Sequence, residues 1–150
     1  EKVGEYGGVL YVDDSKGTNV DATLNAVANM ERDTVVLLGG KDKGYDYDAL
    51  FAGLKNSRKV QAVLYGENRF KLFDSAVRTG ESRVTLCADF SLAVRIAAMT
   101  AKPGQCVLLS PASSSFDAFS GYEERGERFE QIVKEMGEKD AAGSGYDCAE

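Results

Sequence analysis

Carboxylate, hydroxyl and ammonium groups are concentrated in one short segment near the start of the chain, residues 13–19, which reads Asp-Asp-Ser-Lys-Gly-Thr-Asn. The segment follows an apolar stretch that ends at Val12 and precedes a helical pattern. Turns between a strand and a helix are where α/β sheets hold ligands. Asp14 and Lys16 lie on this turn, and Thr18 falls where the N–H groups of a helix start favour an anion. The segment therefore predicts a ligand-binding turn.

Two other predicted strand exits carry groups of the same kind. Residues 39–44, Gly-Gly-Lys-Asp-Lys-Gly, place two lysines on a glycine-rich turn of an acidic protein, which creates a local positive potential. Residues 110–117, Ser-Pro-Ala-Ser-Ser-Ser-Phe-Asp, follow the last apolar strand. We expect Phe116, Phe119 and Tyr122 to anchor this serine-rich segment through apolar packing.

The exits of parallel strands lie at one edge of a sheet, so we expect the polar turns to meet there. Lys16, Lys43, Thr18 and Ser115 would then converge on a small carboxylate or phosphate ligand. The alternative for the first turn is purely structural, with Thr18 and Asn19 capping the helix and Asp14 closing an Asx turn. Neither GxxxxGK[ST] nor GxGxxG occurs in the sequence, so no phosphate-binding loop of those two types is predicted.

Composition limits the possible functions. A chain of 150 residues fits one domain, and its net charge of −6 argues against a nucleic-acid-binding surface. The sequence has no histidine, which excludes a Ser-His-Asp or Cys-His nucleophile within it. No apolar run reaches the roughly 20 residues of a membrane helix, and no signal peptide is recognisable, so we expect a cytoplasmic protein without a membrane partner.

Apolar β-rich runs alternate with helical patterns, which predicts an α/β fold with a mostly parallel sheet of about six strands and helices on both faces. Gly7-Gly8 forms a hairpin turn and gives one antiparallel edge. Asp46 is the expected cap of a short helix over residues 47–54, and a frayed, flexible tail is expected for residues 138–150. The predicted strands are 2–6, 9–12, 34–38, 60–65, 84–87 and 106–109.

The polar turns together resemble the C-terminal domain of the Mur ligases, and within that family its D-glutamate-adding members. The resemblance lies in residues 14–19, residues 37–40 with Lys43, residues 108–112 with Ser115, and Glu124-Arg-Gly-Glu-Arg-Phe129. It covers residues 1 to about 137 and implies a Rossmann-like, three-layer fold. The N-terminal and central ATPase domains of such enzymes have no counterpart in this chain.

The resemblance implies an ATP- and magnesium-dependent ligase of peptidoglycan synthesis. Such an enzyme phosphorylates the alanine carboxylate of UDP-N-acetylmuramoyl-L-alanine, and the amine of D-glutamate then attacks the acyl phosphate. The magnesium ligands and most of the ATP site belong to the missing domains, so we expect no metal site, no catalytic residue and no ligase activity in this chain alone. By the same resemblance, Asp14 would face the ribose and Lys16 the phosphates. The D-glutamate carboxylates would be held by Thr18, Lys43, Ser115, Phe116 and Tyr122, with Phe116 contributing its backbone.

Three alternatives stay open at this point. A receiver domain fits the acidic end of the strand at Asp13-Asp14, but it needs an aspartate where the chain has Tyr65 and a lysine after the last strand, whereas Lys102 precedes that strand. A non-catalytic α/β binding module is the second. The third is a ligase for another amino acid, although the Asp-Asn-Pro-Arg segment of diaminopimelate-adding enzymes is absent and folate polyglutamate ligases lack the serine loop.

Overall fold

The backbone of residues 1–147 and the side chains of residues 1–139 are described by a computed structural model. Its six strands and five helices alternate after an initial hairpin. The strands are β1 (Lys2–Tyr6), β2 (Val9–Asp13), β3 (Thr34–Gly39), β4 (Lys59–Tyr65), β5 (Val84–Leu86) and β6 (Cys106–Leu109). The helices are α1 (Val20–Ala28), α2 (Asp48–Leu54), α3 (Arg69–Arg78), α4 (Phe90–Thr100) and α5 (Tyr122–Asp147).

All six strands form one sheet in the order β1-β2-β6-β3-β4-β5. Only β1 and β2 pair antiparallel, and the turn between them contains Gly7 and Gly8, both with positive φ, as a tight hairpin requires. The last strand, β6, inserts between β2 and β3 and pairs parallel with both. The exits of β2, β6 and β3 are therefore neighbours, although they are far apart in sequence.

The sheet is buried on both faces, which explains the continuous apolar runs of its central strands. In β3, Val35 and Leu37 pack into one hydrophobic cluster with residues of α4 and α5, while Val36 and Leu38 pack into another with α1, α2 and α3. These three layers confirm the predicted α/β fold, with its antiparallel edge and helices on both faces.

One element boundary differs from the sequence prediction. Asp46 does not cap α2: Tyr47 occupies the cap position, and the N–H of Asp48 donates to Asp46 Oδ1 at 3.1 Å in an Asx-type turn. Helix α5 continues past Gly137 to Asp147. A Cβ at position 137 would overlap the ring of Tyr6, so this glycine permits close packing and does not end the helix.

The predicted flexible tail, residues 138–150, lies mostly outside the residues whose side chains are described, and its flexibility stays a prediction. Within the described part of the chain, no helix combines the length and apolar character needed to cross a membrane.

Candidate functional site

Three loops meet at the carboxyl edge of the sheet, as the sequence predicts. We call them the first loop (residues 14–19, after β2), the lysine loop (residues 40–47, after β3) and the serine loop (residues 110–121, after β6). Backbone hydrogen bonds join them: Ala112 N–H donates to the Gly17 carbonyl at 2.9 Å, and Lys41 N–H donates to the Ser114 carbonyl at 2.9 Å. The serine loop thus lies between the other two and contacts both.

Glycine makes this close approach possible. Gly40 has a φ of 153°, and a Cβ there would collide with the Ser114 carbonyl. A Cβ at Gly17 would lie 2.6 Å from Ser110 Oγ and 2.7 Å from Asp14 Oδ2. Side chains at either position would push the loops apart. These two glycines therefore determine how closely the three loops pack at the edge of the sheet, which we call the rim.

In the first loop the two predicted nucleotide-side residues differ in how firmly they are held. Ser110 Oγ donates to Asp14 Oδ2 at 2.8 Å, which fixes the carboxylate, while the side chain of Lys16 is exposed. Thr18 is half-buried and lines a groove together with Gly44, in the middle of the lysine loop, and Ala112. The structural alternative is partly realised, because Asn19 caps α1 by accepting from Ala22 N–H. The Asx-type turn is closed by Asp13, which accepts from Ser15 N–H at 2.9 Å, and not by Asp14.

Charged side chains in and just before α3 contact the lysine loop. Glu67 accepts from Asp42 N–H at 2.8 Å and pairs with Lys41 Nζ at 3.4 Å. A hydrogen bond from Gly44 N–H and one from the Lys71 ammonium lower the pKa of Asp42. Lys43 is exposed and has no ion-pair partner among the residues whose side chains are described. The loop therefore presents one uncommitted cation.

The serine loop contains a buried hydroxyl with nothing to bond. Ser115 is 1% exposed, and its Oγ has no hydrogen-bond partner in the described structure, although its carbonyl accepts from Phe119 N–H at 2.9 Å. Buried hydroxyls are normally bonded, and Ser114 Oγ on the same loop also has no partner in the described structure. Phe119 anchors the loop, edge-on to Phe90 at 5.3 Å.

The prediction that Phe116 and Tyr122 also anchor the serine loop is wrong. They are 63% and 44% exposed, so neither ring packs into the core. Tyr122 is held through its backbone instead: its carbonyl accepts from Ser15 Oγ at 2.6 Å.

Lys16 and Tyr122 line a second groove together with Glu130. Glu130 has its pKa raised to about 7, first by its hydrogen bond with the Asp13 carboxyl and then by burial.

Sequence reasoning missed two buried residues that organise the rim. Arg125 is fully buried and donates from Nε to Ser15 Oγ at 3.0 Å and from Nη2 to the Ser15 carbonyl at 2.7 Å. Its Nη1 lies beside Gly40 without a partner, and no carboxylate of the described side chains pairs with it. Asn68, 1% exposed at the start of α3, bonds to both the lysine loop and the serine loop. Both residues lie near the start of a helix, where polar residues are usually exposed, so the sequence alone does not indicate that they are buried.

Comparison with known proteins gives the family context. Residues 1–113 match the family described as "Mur ligase, glutamate ligase domain". The chain is 41% identical over 134 residues to UDP-N-acetylmuramoylalanine–D-glutamate ligase from Desulfitobacterium hafniense, covering 89% of this chain and 29% of that protein. It is 43% identical over 132 residues to the enzyme of the same name from Rubrobacter xylanophilus, and the match covers 87% of this chain and 30% of that protein. The chain thus spans about three tenths of the length of these relatives.

Solved structures agree in fold. A UDP-N-acetylmuramate-alanine ligase from Thermotoga maritima superposes with a TM-score of 0.57 at 12% identity, covering 85% of this chain and 27% of that one. MurF ligase from the same organism, solved in complex with ADP, superposes with a TM-score of 0.54 at 18% identity. This match covers 89% of this chain and 30% of that one. At these identities the superpositions support the three-layer architecture alone.

Proposed function

The chain belongs to the Mur ligase family, as its glutamate ligase domain, and from this we propose that it is the amino-acid-binding domain of a D-glutamate-adding ligase. The full protein would join D-glutamate to UDP-N-acetylmuramoyl-L-alanine in peptidoglycan synthesis, at the expense of ATP. The names of the relatives at 41% and 43% identity support this assignment over a ligase for another amino acid.

One observation in the structure carries the proposal. On adjoining loops, Lys43 offers a cation without an ion-pair partner, and Ser115 offers a buried hydroxyl without a hydrogen-bond partner, both within the described part of the chain. D-Glutamate brings two carboxylates, and charge-assisted hydrogen bonds to carboxylates stabilise binding by roughly 1.5–3 kcal/mol each. A rim with unused donors on two loops matches a small diacid.

We assign the carboxylates of D-glutamate to Thr18, Lys43, Ser115 and the backbone around Phe116 and Tyr122. Two carboxylates held at separate points fix the orientation of the amine that lies between them. Aminolysis of an acyl phosphate gains mainly from such positioning, so this domain needs no acid or base of its own. The absence of histidine is compatible with that role.

On the nucleotide side, we propose that Asp14 accepts from the ribose hydroxyls of ATP and that Lys16 faces its phosphates. The chemistry fits, because Ser110 holds the Asp14 carboxylate in place, and Lys16, two residues further along the chain, is exposed. ATP would supply the phosphoryl group that activates the alanine carboxylate. The described side chains contain no cluster of three or more metal-ligating groups, so we assign the Mg²⁺ ligands to other parts of the protein.

We further propose that the ATPase machinery lies in the part of the enzyme that this chain does not cover, and that the isolated chain has no ligase activity. Because its nucleotide substrates are cytoplasmic metabolites, the enzyme would work in the cytoplasm.

The test is a turnover assay of the full-length protein with ATP, Mg²⁺ and UDP-N-acetylmuramoyl-L-alanine, in which the amino acid is varied. D-Glutamate should support ADP release and product formation, whereas L-alanine, L-lysine and meso-diaminopimelate should not. Turnover with one of those three in preference to D-glutamate would overturn the proposed function. Turnover by the isolated chain would overturn the proposal that the ATPase machinery lies outside this chain.

A further inference from the structure

Asn68 joins the two loops on which the proposed glutamate site depends. Its Oδ1 accepts from Gly40 N–H at 2.9 Å, and its Nδ2 donates to Ser113 Oγ at 2.8 Å and to the Tyr47 hydroxyl at 2.8 Å. Its own N–H donates to the Gly40 carbonyl at 3.1 Å. One side chain therefore contacts the start of the lysine loop, its end at Tyr47, and the centre of the serine loop.

The network is closed and buried. Asn68, Tyr47 and Ser113 are 1%, 2% and 3% exposed, and the Tyr47 hydroxyl lies 3.3 Å from Ser113 Oγ. All three side chains are bonded within the network, in contrast to the unpartnered hydroxyl of Ser115. A buried polar network in which every member is satisfied rigidifies the segments that it joins.

The position of Asn68 also explains why it does not serve as a helix cap. It occupies the cap position of α3, but its side chain makes no bond to that helix. The amide is used instead to pair with Gly40, whose backbone only glycine can adopt this close to Ser114. An amide is suited to this task because it offers an acceptor for the N–H and two donors for the hydroxyls.

We propose that Asn68 is a positioning residue for D-glutamate, which it does not touch. By fixing Gly40 against Ser113, it sets the separation between Lys43, three residues beyond Gly40, and Ser115, two residues beyond Ser113. The proposal rests on the proposed function, since the two loops must hold the two carboxylates of one ligand. A ligand held at two points is sensitive to the distance between them. Loosening the contact between Gly40 and Ser113 should therefore weaken the binding of D-glutamate more than the binding of ATP.

The experiment uses steady-state kinetics of the full-length protein with Asn68→Ala, Asn68→Asp and a matched control, Asn25→Ala, in which an exposed asparagine of α1 is truncated. Loss of the network should raise KM for D-glutamate by about tenfold in Asn68→Ala, the cost of one to two hydrogen bonds, with little change in KM for ATP. Asn68→Asp should restore KM to within about threefold, because the Tyr47 and Ser113 hydroxyls can rotate to donate to a carboxylate.

A second measurement does not depend on turnover. Hydrogen exchange of the full-length protein should be faster in Asn68→Ala than in wild type for the segments 39–44 and 112–117 together, and unchanged in Asn25→Ala. Ser113→Ala, which removes one bond of the network, serves if Asn68→Ala does not fold, and it should speed up exchange in the same two segments.

The outcomes separate the two proposals. An unchanged KM for D-glutamate in Asn68→Ala, or equal increases in KM for ATP and D-glutamate, would overturn the positioning role while leaving the proposed function intact. Wild-type protein without D-glutamate-dependent turnover would overturn the proposed function, and the coupling of the loops would then be judged by hydrogen exchange alone. Exchange in Asn68→Ala that matches wild type in both segments would overturn the coupling as well.

Discussion

Arg125 donates two hydrogen bonds to Ser15, to its Oγ at 3.0 Å and to its carbonyl at 2.7 Å. Ser15 Oγ in turn donates to the Tyr122 carbonyl at 2.6 Å. The fully buried guanidinium thereby connects the first loop to the start of α5, from which Arg125 itself comes. A buried side chain thus holds the first loop in place, in addition to the backbone hydrogen bonds that join the loops of the rim.

This contact predicts a loss of stability when Arg125 is replaced. Arg125→Lys retains the charge but cannot donate to both Ser15 atoms in the same geometry, so the free energy of unfolding should fall by about 1–3 kcal/mol. Denaturant unfolding measures the change. Arg128→Lys, on the same helix and only partly buried, is the control and should change stability by less than about 0.5 kcal/mol. Equal effects of the two substitutions would contradict this role for Arg125.

Lys43 should matter more for glutamate than its neighbour Lys41. Lys43→Ala removes the uncommitted cation, and the loss of one charge-assisted hydrogen bond should raise KM for D-glutamate by roughly 10- to 100-fold. Lys41→Ala removes a cation that is already paired with Glu67 and should raise it far less. Kinetics of the full-length enzyme compares the two. A larger effect of Lys41→Ala would show that the wrong lysine has been assigned.

Ser115 should affect binding without affecting stability. Its Oγ has no partner in the described structure, so Ser115→Ala should leave the melting temperature nearly unchanged while raising KM for D-glutamate. Ser113→Ala is the contrasting variant, because it leaves an Asn68 donor unsatisfied and should cost about 1–3 kcal/mol of stability. Thermal unfolding and KM are measured on both proteins. A strongly destabilised Ser115→Ala would mean that the hydroxyl serves the fold.

The buried pair of Lys59 and Glu81, at the opposite end of β4 from the site, should contribute to stability alone. Burial acts to raise the pKa of Glu81, but hydrogen bonds from Lys59 and Arg83 outweigh it and lower the pKa to about 2. The folded-state pKa lies below the ordinary value of 4.5, so this stabilisation is complete above about pH 4.5 and is lost as the pH falls toward 2.

Removing one member of that pair tests this expectation. Lys59→Met leaves the buried Glu81 with Arg83 only and should reduce the free energy of unfolding by about 3–5 kcal/mol at neutral pH. Its stability should then depend less on acid between pH 4.5 and 2 than that of the wild type. Urea unfolding across that range provides the comparison, and an unchanged acid dependence would count against the assigned pKa.

Glu130 should produce the opposite pH dependence. Its folded-state pKa of about 7 lies above the ordinary 4.5, so the folded state binds the proton more tightly. Stability from this carboxyl is therefore present below about pH 4.5 and is lost as the pH rises to 7. Glu130→Gln should flatten the melting temperature over that interval, while Glu127→Gln, an exposed glutamate one turn earlier, should not. A slope that survives in Glu130→Gln would contradict the raised pKa of Glu130.

The sequence identified the loops of the site better than their supports. Strand exits rich in Gly, Ser and Lys could be placed at one edge because parallel pairing follows from alternation, and the insertion of β6 between β2 and β3 brought them together. Asn68 and Arg125 could not be recognised, because their importance comes from burial and from partners 21 to 110 residues away. Phe116 and Tyr122 are not anchors, because an aromatic residue in or next to a loop gives no sign in the sequence of which way its ring faces.

A crystal structure of the full-length protein with D-glutamate bound tests the central claim most directly. The account predicts that Lys43 Nζ, Thr18 Oγ1 and Ser115 Oγ each lie within about 3.2 Å of a carboxylate oxygen of the same D-glutamate molecule. D-Glutamate bound away from the rim of the three loops, or with Ser115 Oγ still lacking a partner, would contradict it.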